Sequence, residues 1–221
     1  MNDGSAADPF PQTDQNTIKR VANRAAYDRE TVYEVFDAAW ICHVGFTGES
    51  GPTVIPMFHV RVDDEIFFHG ATTSRLMQKL ASGDKVCLSA AMVDGLVLAR
   101  SLFHHSMNYR SAVAFGTGRI VSERAEKMAA FKALSDKVVK GRWDDARQPS
   151  DKEFKATSVV AVKMDSASAK VRTGGPIDDE GDLDLPVWAG VVPMQTVYGT
   201  PEPADDLNPD IASPEYLREL S

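Results

Sequence analysis

The feature that most constrains the fold is a succession of short apolar segments, rich in β-favouring residues, that alternate with turn residues. The segments with this character are 40–46, 53–62, 65–69, 85–92, 96–102, 111–121, 158–164 and 169–173. The turn Thr47-Gly48-Glu49-Ser50-Gly51 predicts a hairpin, and Asp63-Asp64 and Asp94-Gly95 predict tighter ones. Gly116 and Gly118 predict a bend or bulge within the strand over 111–121. Most of these strands are therefore expected to pair in antiparallel fashion.

Three helices are predicted among these strands. Asp28 opens the first, and the other two cover 73–81 and 123–140. The apolar positions on one face of the first helix are Val32, Val35, Phe36 and Ala39. Antiparallel strands with inserted helices do not fit the strict strand–helix alternation of a doubly wound fold, and no GxGxxG motif follows a strand. The predicted fold is mainly β, a small closed or partly open antiparallel barrel with peripheral helices.

The length of 221 residues suits one domain. Residues 1–16 are polar and contain two prolines, which predicts a flexible N-terminal arm; the domain is expected over 17–200 and a C-terminal tail over 201–221. The formal charge of −8 argues against a nucleic-acid partner. No apolar run is long enough for a membrane span or a signal core, so a cytoplasmic location is expected. Cys42 and Cys87 lie in apolar strands without metal-ligand spacing, and no metal site is predicted.

One segment, 66–76, carries a functional signal. The strand Ile66–His69 breaks at Gly70, and a helix restarts after Thr73, Ser74 and Arg75. A helix N-terminus offers unpaired N–H groups and the positive end of the peptide dipole, so two hydroxyls and a guanidinium there can cradle a phosphate. The alternative is that Thr73 or Ser74 only caps the helix while Arg75 is solvated.

Six segments, in this order, give the chain a resemblance to a known family. They are Thr53-Val54-Ile55-Pro56-Met57-Phe58-His59, Phe67-Phe68-His69-Gly70-Ala71, Ser74-Arg75, residues 104–113, residues 168–176 and Leu185-Pro186-Val187-Trp188-Ala189-Gly190. Together they resemble the pyridoxamine 5′-phosphate oxidase-like flavoproteins, in the branch that includes the nitroimidazole-resistance reductases. The resemblance covers roughly residues 17–200. It implies a split β-barrel that forms a homodimer, with FMN bound at the subunit interface.

The resemblance also implies a role for individual residues. Ser74 and Arg75, aided by Thr73, would hold the FMN phosphate, and the backbone of Ile55, Pro56, Met57 and Phe58 would lie along the isoalloxazine ring. Asn108, Tyr109, Arg110 and Ser111 match the strand that contacts the flavin or phosphate from beside the ring. Trp188 looks like the aromatic residue that closes the pocket. His69, beside the phosphate segment, is the candidate for proton transfer because its apolar surroundings favour a neutral imidazole.

The chain departs from the true vitamin B6 oxidases. Their Arg-Leu-His-Asp-Arg and C-terminal Arg-Leu-Ala-Pro segments bind the substrate phosphate, and the matching basic residues are largely missing from 170–176 and 187–193. The expected function is an FMN-dependent oxidoreductase that passes electrons from a reduced nicotinamide or deazaflavin donor to a small organic acceptor. The alternatives are a flavin-storage protein and a haem-binding relative. His104 and His105 are expected to be structural or solvent-facing, since adjacent strand residues point to opposite faces.

Overall fold

The computed structural model describes residues 8–220. The strands are β1 Ala25–Ala26, β2 Ile41–Gly48, β3 Gly51–Phe58, β4 Val60–Val62, β5 Glu65–Ala71, β6 Lys85–Leu98, β7 Ser106–Ile120, β8 Thr157–Arg172 and β9 Gly190–Pro193. The α-helices are α1 Arg29–Ala38, α2 Arg75–Ala81, α3 Arg124–Val138, α4 Arg142–Asp145 and α5 Asp151–Ala156. No helix in this described part of the chain is long and apolar enough to cross a membrane.

All nine strands belong to one sheet with the order β3-β2-β6-β7-β8-β5-β4, while β1 adds to β8 and β9 to β6. Every ladder is antiparallel. The two outermost strands, β3 and β4, are joined by His59 alone, so the sheet must curl until its edges approach. Within residues 8–220 no ladder joins β3 to β4 or β5. The result is a split barrel, which confirms the predicted mainly β, antiparallel fold with peripheral helices.

The main core lies inside the curl of the sheet. The carboxylate of Asp28 accepts a hydrogen bond from Thr31 N at 2.8 Å. It thereby caps α1, as predicted. The buried residues of α1 and α2 that pack against the inner face are Val32, Val35, Phe36, Leu76, Met77 and Leu80. A smaller core on the outer face packs α3, through Ala130 and Leu134, against Phe67 and Val159. Both faces of the β5–β8 region are therefore covered.

Several predicted strands merge into longer ones. Asp94-Gly95 is not a hairpin turn: β6 continues through it with a register shift between Val93 and Gly95, and β7 pairs with both sides. The Asp94 carboxylate binds Arg110 across the ladder, which holds the irregularity as a bulge. The last two predicted strands are one strand, β8. The bend predicted from Gly116 coincides with a register shift between Phe115 and Gly116.

The N-terminal segment differs from the flexible arm that was predicted over 1–16. Residues 8–16 pack on the barrel: Phe10 is buried in the main core, and the amide of Asn16 donates to Pro11 O at 2.8 Å and to Ala167 O at 2.9 Å. Burial of an aromatic side chain stabilises a segment that its polar composition alone would leave loose. Residues 1–7 of the predicted arm lie outside the described residues.

Candidate functional site

The split of the barrel leaves an opening beside β3. The residue after His59, Val60, pairs with Phe67 of β5, whereas the residue before it, Phe58, pairs with Ile41 of β2. At His59 the chain therefore passes from pairing with β2 to pairing with β5, and β3 has β2 as its only ladder partner in the described sheet. We call the opening between Ile55–Phe58 and the end of β5 the slot. The edge of β3 presents unpaired backbone groups to it.

The start of α2 stands at the end of β5. Ser74 caps the helix, since its hydroxyl accepts from Met77 N at 3.5 Å. The exposed side chains of Thr73 and Arg75 make no hydrogen bond to any residue of 8–220. The capping alternative is thus correct for Ser74, while the Arg75 guanidinium keeps all its donors for a ligand.

His69 lies on a different face of β5 from α2. Its neighbour Gly70 faces the helix, because a Cβ there would lie 2.9 Å from Met77 Cγ. Phe67, two residues before His69, packs in the α3-side core, so His69 also points to that outer face. The sequence predicted that His69 lies beside the phosphate segment; the two are neighbours in the chain, but their side chains lie on opposite faces of the strand.

A cavity of about 300 Å³ opens at His69 and is also lined by Phe131, Pro149 and Thr157. At its rim Arg147 forms an ion pair with Glu153 at 2.8 Å. Desolvation lowers the pKa of His69, although part of its ring is open to solvent. The imidazole has no hydrogen-bond partner in the described chain. It is therefore neutral near pH 7 and available as a ligand or a proton carrier.

Two of the four predicted contact residues at the start of β7 are engaged in holding the sheet together. Arg110 forms a bidentate ion pair with Asp94 at 2.8 and 3.0 Å, and this pairing raises the pKa of Arg110. The hydroxyl of Ser111 donates to Lys170 O at 3.2 Å. Neither side chain is as free as that of Arg75.

Asn108 belongs to a second polar cluster with Arg172. Its amide nitrogen donates to Gly174 O at 3.1 Å, and its oxygen accepts from the Arg172 guanidinium. Arg172 also donates to Gly175 O at 2.9 Å, so the pair fixes the chain where it leaves β8. Tyr109, half-buried, stands opposite Arg172 in the ladder.

The predicted site residues fall into two groups at opposite ends of β8. At one end Ala71, just before the phosphate segment, pairs with Thr157; at the other Tyr109 pairs with Arg172. At about 3.3 Å per residue these ends are on the order of 40–50 Å apart. Within one copy of the chain, Arg75 and the start of β7 therefore lie toward opposite ends of this strand.

Trp188 lies just before β9 with 65% of its surface exposed. Its ring packs on Gly190, where a Cβ would come within 2.8 Å. The large apolar side chains exposed in this part of the molecule are Leu96, Met107, Leu185, Val187, Val192 and Met194. Within residues 8–220, Trp188 is therefore not enclosed by other side chains of its own chain.

Two further polar clusters are structural. His59 is fully buried; its Nε2–H donates to Phe36 O at 2.8 Å, and Lys137 Nζ donates to Ala39 O at 2.8 Å. Burial and the charge of Lys137 lower the pKa of His59 to about 4, and burial lowers the pKa of Lys137 to about 8. These groups cap the carboxyl end of α1.

His104 contacts the segment after β8, and His105 contacts the segment after β6. His104 Nε2 lies 3.2 Å from an Asp179 carboxylate oxygen, and His105 Nδ1 lies 3.1 Å from Ser101 O. Nearby, the buried Asp178 carboxylate pairs with Arg100 at 2.9 Å. The described residues contain no group of three or more metal-ligating side chains.

The chain is similar to known proteins in both sequence and fold. The sequence profile of the pyridoxamine 5′-phosphate oxidase family matches residues 28–171. The chain is similar to the flavocytochrome Anf3 from Azotobacter vinelandii, with 36% identity and a TM-score of 0.88 over 95% of this chain and 97% of that one. It is also similar to the FAD and heme binding protein from Mycobacterium smegmatis, with 33% identity and a TM-score of 0.84 over 90% of this chain and 97% of that one.

A 5-nitroimidazole antibiotic resistance protein from Bacteroides thetaiotaomicron, described as putative, shares the fold at 23% identity, with a TM-score of 0.55 over 66% of this chain and 86% of that one. No curated protein matches the sequence. An antiparallel sheet that curls without closing, with helices inserted between its strands, defines the class as a split barrel. Within that class the chain belongs to the pyridoxamine 5′-phosphate oxidase family.

Proposed function

We propose that the chain is a flavin- and haem-binding oxidoreductase that takes electrons from a reduced nicotinamide or deazaflavin donor and passes them to a small acceptor. The observation that carries the proposal is the unpaired Arg75 guanidinium at the mouth of the slot. The similarity to a flavocytochrome and to an FAD and heme binding protein, each over at least 90% of the chain, supports it.

The residues of the slot fit a flavin. Arg75 and Thr73 offer free donors to a phosphate, and the edge of β3 offers backbone groups to the polar rim of a flat ring. Pro56, on that edge, has no N–H to leave unpaired. The protein positions and desolvates the flavin, and the bound flavin supplies the redox chemistry. The family resemblance of the sequence implies FMN, whereas the Mycobacterium smegmatis relative binds FAD. Identifying the flavin released from the purified protein decides between the two.

A homodimer completes the flavin site in this proposal. The second group of predicted contacts, Asn108 to Ser111 and Trp188, lies too far from Arg75 within one chain. A second copy placed against the exposed apolar side chains around Trp188 would bring that group to the slot. Sedimentation of the flavin-loaded protein at micromolar concentration tests this point: a monomer that retains flavin would exclude it.

His69 is the histidine that fits haem in this chain. His59 is buried against Phe36, and His104 and His105 are hydrogen-bonded to Asp179 and Ser101. The two exposed histidines whose rings make no hydrogen bond to residues 8–220 are His43 and His69, and His69 lines a cavity. The neutral imidazole of His69 would hold the haem iron, and the haem would supply one-electron exchange. In a protein that binds flavin alone, the same imidazole remains the predicted proton carrier.

Visible spectroscopy of purified variants tests both assignments. We expect Arg75→Gln to weaken flavin binding by about 10- to 100-fold, while Arg110→Gln, whose guanidinium is paired with Asp94, changes it far less. We expect His69→Ala to remove the Soret band and leave the flavin bands, with His43→Ala as its matched control. Unchanged flavin affinity in Arg75→Gln, or an unchanged Soret band in His69→Ala, would contradict the corresponding assignment.

The same samples separate an oxidoreductase from a flavin store. Bleaching of the flavin bands by NADPH or a reduced deazaflavin, followed by reoxidation on adding acceptor, is expected of the oxidoreductase. A flavin that no donor reduces would favour storage.

A further inference from the structure

A pocket of about 270 Å³ lies on the outer face of β7 and β8, far from the slot. We call it the basic pocket; it is lined by Ile18, Arg20, Ser111, Val113, Ser168 and Lys170. Lys170 Nζ donates to Arg20 O at 2.9 Å and so holds residues 18–20 over the strands. Residues 18–20 form one wall of the pocket, and they lie before residue 28, where the family profile begins.

Four cations in and beside the basic pocket lack a carboxylate partner. Arg20 and Lys170 line the pocket. Arg172 follows Lys170 on the same face of β8, is only 5% exposed and keeps a buried Nε without a partner. Burial and then repulsion from Arg24 lower the pKa of Arg172. Within the described chain none of these four cations forms an ion pair, so in a chain of net charge −8 they offer an anion a local positive potential.

The basic pocket also contains a free hydroxyl. Ser168 lines the pocket, and its hydroxyl makes no hydrogen bond to any residue from 8 to 220. A ligand oxygen in the pocket would satisfy this hydroxyl and the guanidinium of Arg20 together.

We propose that the basic pocket binds the diphosphate group of a dinucleotide. A diphosphate carries enough negative charge for several cations, and the pocket is at the small end of ligand sites, which suits part of a ligand rather than a whole dinucleotide. The source with this chemistry is a nicotinamide dinucleotide donor, because the flavin phosphate is assigned to Arg75 in the slot. Assigning the diphosphate to a dinucleotide rests on the proposed function, whereas the anion site itself does not.

Calorimetric titration with inorganic pyrophosphate tests the site. We expect Arg20→Gln, whose exposed side chain makes no hydrogen bond within the described chain, to weaken binding at least tenfold, and Ser168→Ala to weaken it measurably. The matched control is Lys163→Gln, which removes one charge from an exposed position on the same strand. Its affinity is expected to stay within twofold of wild type.

Three results would overturn the proposal: no binding by the wild type, equal affinity in Arg20→Gln and Lys163→Gln, or binding abolished by Arg75→Gln alone. Loss of flavin in Arg75→Gln reports on the slot and leaves the basic pocket unaffected, so failures of the two sites are distinguishable. Titration before and after flavin removal identifies the source. We expect binding to flavin-loaded protein that NADH competes away, whereas binding only to flavin-free protein would contradict the assignment to the donor.

Discussion

The positively charged side chains at the two ends of β8 differ in whether the protein supplies them with partners. Around Thr157, Lys127 is buried but donates to Phe154 O at 2.7 Å and lies 4.2 Å from the Phe154 ring centroid, and Arg147 pairs with Glu153. Around Lys170 and Arg172, the cations have no carboxylate in the described chain. The first arrangement supports the fold, because each charge is satisfied by the protein itself. The second leaves its cations open to an anion from outside the chain, as we propose for the basic pocket.

The largest expected effect comes from disrupting the ladder between β7 and β8, which connects the two ends of β8. Gly116 lies at the register shift between β7 and β8, and a Cβ there would come within 1.7 Å of Lys163 O. We expect Gly116→Ala to cost more than about 4 kcal/mol, or to prevent folding, since the backbone carbonyl cannot move aside cheaply. Gly45→Ala is the control, because its Cβ would sit 3.6 Å from Cys87 O. Chemical denaturation measures both, and a loss below about 1 kcal/mol in Gly116→Ala, the size of an average substitution, would refute the packing argument.

The next effect is a pH dependence of the free energy of unfolding, caused by the buried His59. The pKa of His59 is about 4 in the folded chain and about 6.5 when unfolded. The stability that the neutral imidazole allows is therefore complete above pH 6.5 and is lost as pH falls toward 4. At about 1.4 kcal/mol per pKa unit the loss is ~3 kcal/mol. His59→Leu, which cannot take up the proton, should lack this part of the slope. Parallel unfolding curves of the two proteins from pH 7 to 4 would be the contrary result.

A paired comparison tests the two ends directly. Lys127→Met leaves the carbonyls of Phe154 and Thr157 without a donor. It should destabilise the fold by about 2 kcal/mol, the cost of leaving buried acceptors unsatisfied. Arg24→Gln removes an unpaired cation that repels Arg172. As a surface substitution it should change stability by no more than about 0.5 kcal/mol, in either direction. Thermal denaturation without added anions measures the difference, and equal losses in the two variants would mean that Arg24 has a structural partner after all.

The smallest effect concerns the slot. Ser74→Ala removes the cap of α2. The loss of a capping hydroxyl should cost about 1 kcal/mol. Thr73→Ala removes no hydrogen bond and should cost under about 0.5 kcal/mol, as surface substitutions usually do. The same denaturation assay compares them. If Thr73→Ala is the more damaging variant, the cap has been assigned to the wrong residue.

The sequence predicted what depends on local patterns. Asp28 and the spacing of Val32, Val35 and Phe36 defined α1, and the break at Gly70 placed α2 to within two residues, because capping and periodicity act over a few neighbours. Asp94-Gly95 has the sequence of a turn but forms a bulge, since the ladder to β7 runs along both of its sides. Phe10 is buried by partners far along the chain, which composition does not reveal.

The candidate site was predictable only in part, for a similar reason. Thr73, Ser74 and Arg75 are consecutive, so their pattern is visible in the sequence. The surroundings of His69 depend on which side of β5 the helix α3 covers, and this is set by tertiary packing rather than by local sequence. Arg20, Ser168 and Lys170 are brought together by β8 and a segment about 150 residues earlier. The basic residues at 19–24 and 170–172 are far apart in an acidic chain, so they do not stand out as a cluster in the sequence.

The position of β8 in the chain has a consequence for how the protein is made. It lies at the centre of the sheet and pairs with β1, β5 and β7, yet it is synthesised after all of them, and β5 waits about a hundred residues for this partner. Until residue 172 leaves the ribosome, β5 and β7 each carry an edge that the finished sheet will cover. A ribosome-bound chain that stops near residue 156 should therefore be captured by chaperones, whereas one that includes β8 should fold and escape them.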